Sequence, residues 1–201
     1  MIILITMKRI MFFLMMGLIT ISSKAQEKRD LTLSVAKGKL NSPYYKKDKA
    51  GDFYSIDFDY YITSRQMVSA NFNAGDHRYY EDILSNYPTG LVYEDGTNAT
   101  AEYRTFSILY KYKIVNTKVF SVALGTGAGF MTQTLKYPHL QGNSVYPVQS
   151  TSSDLVFPVR LELDYKVSNH FRLGFIGGFF VHPDFPILAY HAGLRITYVV
   201  K

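Results

Sequence analysis

Apolar and polar residues alternate along most of this chain with a period of two. The clearest case runs from Glu102 to Phe130. Phe106, Ile108, Tyr110, Tyr112 and Ile114 share one parity, and Thr105, Ser107, Lys111 and Lys113 the other. After Asn116-Thr117-Lys118 the alternation resumes: Phe120, Val122, Leu124, Ala128 and Phe130 oppose Ser121, Ala123, Gly125, Gly127 and Gly129. Successive strand side chains point to opposite faces, so this pattern around a short polar break predicts a β-hairpin. The same alternation predicts strands at Asp30–Lys37, Asp52–Thr63, Met67–Gly75, Asp154–Val167, Phe171–Val181 and Leu188–Val200. Short breaks, Ser64-Arg65-Gln66, Asn116-Thr117-Lys118 and Ser168-Asn169-His170, alternate with longer polar segments. The longest of these, Asp76–Ala101 and Lys136–Ser153, carry Pro, Gly, Asn and Asp turn chemistry. Short and long links in alternation predict an up-and-down meander of eight strands, with the tight turns and both termini at one end.

The two faces decide which way such a sheet closes. A soluble barrel turns its apolar face inward; a transmembrane barrel carries an apolar band outside and a polar filling inside. Gly125, Gly127, Gly129, Gly174, Gly178 and Gly193 all lie on the polar parity. Glycine on a strand's solvent face weakens it without return, but inside a narrow barrel it leaves room for long side chains. On the apolar parity, Tyr60, Tyr112, Phe120, Tyr165, Phe171 and Tyr198 flank the tight turns. Tyr54, Phe72, Phe106, Phe130, Phe157, Phe179 and Tyr190 mark the other ends, with aliphatics between. Two aromatic rings around an aliphatic waist match the two interfaces of a bilayer. Closure would satisfy every backbone group in lipid. The expectation is an all-β fold, an eight-stranded antiparallel transmembrane barrel with a polar lumen filled by side chains.

The N-terminus adds a route to a membrane. Lys8 and Arg9 precede an apolar run from Ile10 to Ile21, then Ser22-Ser23-Lys24-Ala25-Gln26. This is the layout of a cleaved secretory signal over 1–25, leaving 26–201 as the barrel domain. The apolar run is too short for a spanning helix, and Met7 is an alternative start to Met1. The sequence pI of 9.3 then loses its force. Lys8, Arg9 and Lys24 leave with the signal, so 22 basic residues become 19 against 16 acidic, a net charge of +3 rather than +6. That balance gives no case for nucleic acid. With no cysteine there is neither a disulfide framework nor a thiolate metal site.

The pattern carries no signature of chemistry. Asp57, Asp59, Lys111, Lys113, Arg160, Glu162, Asp164, Lys166, Arg172 and Arg195 share the inward parity. In a lumen too narrow for a water channel these form a paired network, because a lone buried charge is intolerable. Gly125-Thr126-Gly127-Ala128-Gly129 lacks the helix that a nucleotide-binding loop needs. Of His77, His139, His170, His182 and His191, four fall in expected loops or turns and none shows metal-site spacing. No catalytic, cofactor-binding or metal residue is assigned, and the chain is expected not to be an enzyme. The Asn98-Ala99-Thr100 sequon is taken as incidental. Lys46, Lys47, Lys49 and tyrosines 44, 45, 79, 80, 87 and 93 fall in expected long loops, as a recognition surface or an upper aromatic belt. Pro158 interrupts a strand, where a bulge is expected.

The signal, the eight strands, the tight turns, the long loops and the final GLRITYVV strand resemble the small OmpA/OmpX-type outer-membrane β-barrels of Gram-negative bacteria. The resemblance covers the mature chain. It implies an outer-membrane location, contact with lipid and lipopolysaccharide, and delivery by the barrel assembly machinery. It further implies a structural or interaction-platform role through the outer loops. Members commonly end on an aromatic residue, whereas this chain ends Tyr198-Val199-Val200-Lys201. The alternatives are a lipid A-modifying enzyme, a narrow solute conduit, and an exported soluble ligand-binding barrel.

Overall fold

The computed structural model describes residues 30–43, 47–80, 98–141, 144–184 and 187–200. The expected signal segment and Tyr44, Tyr45, Lys46, Tyr87 and Tyr93 lie outside them. The strands are β1 (Leu31–Asn41), β2 (Lys47–Lys49), β3 (Gly51–Tyr61), β4 (Gln66–Tyr80), β5 (Asn98–Asn116), β6 (Phe120–Gln141), β7 (Ser144–Lys166), β8 (Phe171–Val181) and β9 (Ala189–Val200). Each long strand pairs antiparallel with its chain neighbours, and β1 pairs with β9, so eight strands close a ring. The short β2, which the alternation did not predict, pairs with Arg78 and Tyr79 of β4, beyond the stretch of β4 that pairs with β3.

The register fixes the barrel's geometry. Stepping from partner to partner, Leu31 leads through Tyr60, Val68, Tyr110, Thr126, Val159, Phe179 and Tyr190 to Asn41. One circuit therefore advances ten residues along β1 (41 − 31). With standard strand spacings, that stagger over eight strands gives a tilt of about 40° and a backbone radius of about 8 Å. A tube this narrow is filled by its own side chains.

The face assignment is borne out. β9 alternates without a break, with Tyr190, Ala192, Leu194, Ile196, Tyr198 and Val200 exposed and His191, Gly193, Arg195, Thr197 and Val199 buried. Leu194 and Phe130 are exposed by 73 % and 67 %, values no soluble core tolerates. On β7 the girdle residues Tyr165 and Phe157 are eight positions apart, about 20 Å of barrel height at this tilt. That spacing fits the apolar band of an outer-membrane barrel.

Several expectations change in detail. β6 and β7 run far past the apolar band, pairing down to Gln141 opposite Ser144. The expected Lys136–Ser153 loop is thus mostly a projecting hairpin, with roughly 35 Å of strand beyond Phe130. Its outer face replaces apolar residues with hydroxyls: Thr132 hydrogen-bonds Ser153 at 2.9 Å and Thr134 hydrogen-bonds Thr151 at 3.3 Å. Likewise part of the expected Asp76–Ala101 loop is strand, through Tyr80 on one side and from Asn98 on the other.

Pro158 makes no bulge. Thr126 pairs with Val159 and Gly129 with Val156, three residues on along each strand, so the register is kept. The Lys166 N–H donates to the Val119 carbonyl at 2.7 Å, which sets the phase of hydrogen bonds between β6 and β7. Eight residues forward from Val119 on β6 and eight back from Lys166 on β7 make Gly127 and Pro158 a hydrogen-bonding pair, and proline has no N–H to give to the Gly127 carbonyl. The ladder is accordingly interrupted opposite Phe157 and Pro158. Pro138 and Pro147 face each other in the opposite phase, where their missing donors would point away from the ribbon. Register shifts lie instead between Lys113 and Val115, at Ile114 beside a tight turn, and between Lys47 and Lys49 on β2.

Candidate functional site

The lumen is the only place where the fold gathers ionisable groups away from solvent among the described residues, and it is layered. At its centre four strands contribute carboxylates and cations in register. Asp57 and Asp59 come from β3, Lys111 from β5, Arg160, Glu162 and Asp164 from β7, and Arg195 from β9. Arg160 Nη1 contacts Asp57 at 2.5 Å, and its Nη2 donates to Asn73 at 2.9 Å. Lys111 Nζ sits between Asp59 at 2.8 Å and Glu162 at 2.7 Å. Arg195 joins Glu162 at 2.6 Å, Asp164 at 3.1 Å, Asp59 at 3.0 Å and the Ser34 hydroxyl at 2.8 Å. Ser55, Asn71, Thr105 and Ser107 extend the network as neutral partners. Every charge in it faces at least one opposite charge, which is how a buried ionic cluster survives in low dielectric.

Beneath this layer, Lys113 Nζ lies 4.5 Å from the Tyr61 ring centroid, and Arg172 Nη1 donates to the Tyr61 hydroxyl at 3.2 Å. Together with buried Met67 and Ala123, Tyr61 closes the end nearest the tight turns. Of the ten charges expected inside, Lys166 alone is exposed, on the last residue of β7.

Above the charges the filling is apolar, which alternation could not resolve because the inward parity there mixes residue types. Leu40, Phe53, Tyr103, Met131, Val156 and Phe180 pack into one buried cluster. His191 lies in it, stacked on Phe53 at a centroid distance of 4.2 Å and tilted against Phe180 at 5.3 Å. His77 and His139 are strand residues rather than loop residues, and His77 is buried against Tyr103 at 5.4 Å. His170 stays at a turn and His182 follows β8, as expected. Among the described residues no three His, Cys, Asp or Glu side chains form a metal-ligand group.

The glycines on the inward parity act partly as expected. A Cβ on Gly125 would meet Lys111 Cγ at 2.9 Å, so this glycine makes room for a long side chain, though from the adjacent strand rather than one across the lumen. Gly38 and Gly193 are partners on the closing seam, and a Cβ on Gly193 would lie 2.5 Å from the Lys37 carbonyl oxygen. There the demand is close approach of backbones. The Gly125–Gly129 run lies wholly within β6, so no helix follows it.

Above the upper aromatic ring, Lys39 and Asp52 pair on the outer face at 2.8 Å. The hydrogen bond between them, and then their mutual attraction, holds the Asp52 carboxyl below its usual range and the Lys39 amine above it.

An eight-stranded transmembrane β-barrel with a polar lumen filled by its own side chains is the class this geometry defines. No family model matches the chain. No curated protein is similar to it in sequence. Solved structures are similar in fold. Ail, the attachment invasion locus protein of Yersinia pestis, superposes with a TM-score of 0.56 at 12 % identity, over 87 % of this chain and 100 % of that one. Neisserial surface protein A gives a TM-score of 0.54 at 11 % identity, over 86 % of this chain and 96 % of that one. A major outer membrane protein from Thermus thermophilus gives 0.55 at 12 % identity, over 85 % of this chain and 99 % of that one. The fold is that of the small OmpA/OmpX-type barrels, as the strand pattern implied.

Proposed function

We propose that this chain is an integral outer-membrane protein with a structural or interaction-platform role, anchored by the barrel and presenting its long outer loops. The observation that carries the reading is the filled lumen. Charges paired at 2.5–3.1 Å block its middle, and apolar side chains exposed by 0–2 % block its upper end. Among the described residues, that argues against a conduit and leaves no inward cleft for a substrate. No chemistry of its own is assigned, in line with the missing nucleophile and base arrangement in the sequence.

The protein's reach into the surroundings lies in the β6–β7 hairpin and in loops whose tyrosines and lysines the sequence singled out. Lys47 and Lys49 form the added β2, and Tyr79 and Tyr80 end β4 beside it. Ail, of the same fold, has been crystallised with the heparin analogue sucrose octasulfate, which supports a ligand-engaging role for outer surfaces of this kind. The outer-membrane lipid, lipopolysaccharide and the assembly machinery are the expected partners.

Cell fractionation with heat-modifiable electrophoresis tests the reading. The unboiled, detergent-extracted protein should come from the outer membrane and migrate differently from the boiled one. Equal migration, or recovery in the soluble periplasm, would refute it. Unchanged lipid A masses on overexpression are expected, and new acylation or deacylation would restore the enzyme alternative.

A further inference from the structure

The projecting half of β7 has a neighbour on one side only. β8 stops at Val181, opposite Phe157, so the described part of β7 above that level pairs with β6 alone. Gln149 through Leu155 are all exposed, whichever face they lie on. The bond from the Lys166 N–H to the Val119 carbonyl, in an unshifted register, turns the even-numbered residues of β7 toward β6. The odd-numbered Gln149, Thr151, Ser153 and Leu155 therefore turn both N–H and carbonyl to the open side. No described segment bonds them there. These groups repeat about every 6.8 Å and rise about 15 Å from the upper border of the apolar band.

Open strand edges are ordinarily blunted by charge, proline or shortness. The other side of the hairpin follows that rule. Past Lys136, the last residue paired with β5, β6 turns only Pro138 and Leu140 to its open side, and proline has no N–H. On β7 the outer proline, Pro147, lies above the four open residues and leaves them unguarded. No charged residue stands between Ser144 and Ser153, and Asp154 is the first. Side-chain hydrogen bonds between Thr132 and Ser153 and between Thr134 and Thr151 tie this stretch to β6.

We propose that this edge accepts an extended strand of another protein by antiparallel main-chain pairing, a strand uncharged except for one cation facing Asp154. The proposal rests on the interaction-platform reading above and names the kind of partner engaged. Donors and acceptors at a strand's own repeat match a polypeptide backbone, and the antiparallel ladder is the more stable of the two arrangements. Asp154 sits where facing side chains come closest, and its one ionic neighbour among the described residues, His182, is 4.0 Å away. A second copy in the same membrane fits poorly. A two-fold axis along the membrane normal would cross the two β7 strands at about 80°, twice the barrel tilt.

The probe is a seven-residue peptide with blocked ends, alternating valine and threonine, with one lysine placed to face Asp154. It is added to the full-length barrel in detergent micelles, and amide exchange is read by NMR. Exchange should slow at Gln149, Thr151, Ser153 and Leu155, while Ser150, Ser152 and Asp154, already bonded to β6, stay unchanged. Thr151→Pro/Ser153→Pro removes two open-side donors without touching the β6 ladder, and should weaken binding about 30-fold. Thr151→Val/Ser153→Ala keeps both N–H groups and should bind within about threefold of wild type. Methylating the peptide amides that face β7 should abolish binding to the wild-type barrel, a readout that needs no variant to fold. No slowing at the four odd-numbered amides with about 5 mM peptide overturns the proposal, as does equal binding by the proline variant or the methylated peptide. A barrel dimer that forms without peptide and is lost in the proline variant also overturns it, making a second copy the occupant. Heat-modifiable migration read on the same samples separates the failures. If wild type lacks it, the outer-membrane reading falls; if it is intact and no peptide binds, this edge alone falls.

Discussion

Removing Arg195 should be among the most damaging single changes available to this barrel. Its guanidinium touches three carboxylates at 2.6–3.1 Å and is exposed by only 2 %. In Arg195→Met, Asp59 and Glu162 keep Lys111 at 2.8 and 2.7 Å, whereas Asp164 has no second ion pair among the described residues. The central cluster goes from four carboxylates against three cations to four against two. Breaking a buried ionic network on one side costs about 3–5 kcal/mol, because the remaining charge stays buried without compensation. With a urea dependence of about 2 kcal/mol per molar, the unfolding midpoint should drop by roughly 2 M. The chain has no tryptophan, so circular dichroism of the refolded barrel in detergent is the suitable probe. Adding Asp164→Asn to Arg195→Met should recover part of the loss, since the orphaned charge is gone. A loss below about 1 kcal/mol for Arg195→Met would refute the network as a stabilising, sealed element. Should Arg195→Met fail to refold at all, Lys111→Met, which leaves Arg195 bound to the same carboxylates, gives a milder reading of the same cluster.

Further outcomes follow from the wall and the ribbon. Gly193→Val should abolish the heat-modifiable band, because its Cβ would lie 2.5 Å from the Lys37 carbonyl oxygen on the closing seam. Gly177→Ala, whose added Cβ meets nothing nearer than 3.7 Å and faces outward, should fold normally in the same assay. Deleting residues 139–146 shortens only the projecting hairpin and should change the urea midpoint by no more than about 0.5 kcal/mol equivalent, as expected of surface changes.

Strand number, order and facing were legible in the sequence because a barrel in lipid imposes the simplest periodicity there is. Phe171–Val181 was readable to the residue, since a tight turn bounds one end and the loss of alternation the other. The extended halves of β6 and β7 were not readable. Above the membrane both faces are wet, so residues such as Thr132, Thr134, Thr151 and Ser153 carry no parity signal. The inward charges were legible as a group, from parity alone. Their partners were not, because pairing depends on how strands far apart in sequence meet across the lumen: Arg160 and Asp57 are 103 residues apart. The apolar upper layer was hidden for a related reason. Leu40, Phe53 and Met131 share the polar parity of their strands, and a two-state reading of faces cannot show that the interior changes character with depth.

The central claim, that the apolar face is the outer one, can be read on a chain that holds no cysteine of its own. Single cysteines at Leu33, Val35 and Ile196, and at their strand neighbours Thr32, Ser34 and Thr197, can be exposed in liposomes to a thiol reagent dissolved in the bilayer. The structure puts the first three on the outer surface and buries the other three. Rapid labelling of the first set and protection of the second is the expected result. The reverse parity, or equal rates at neighbouring positions, would contradict the barrel as described.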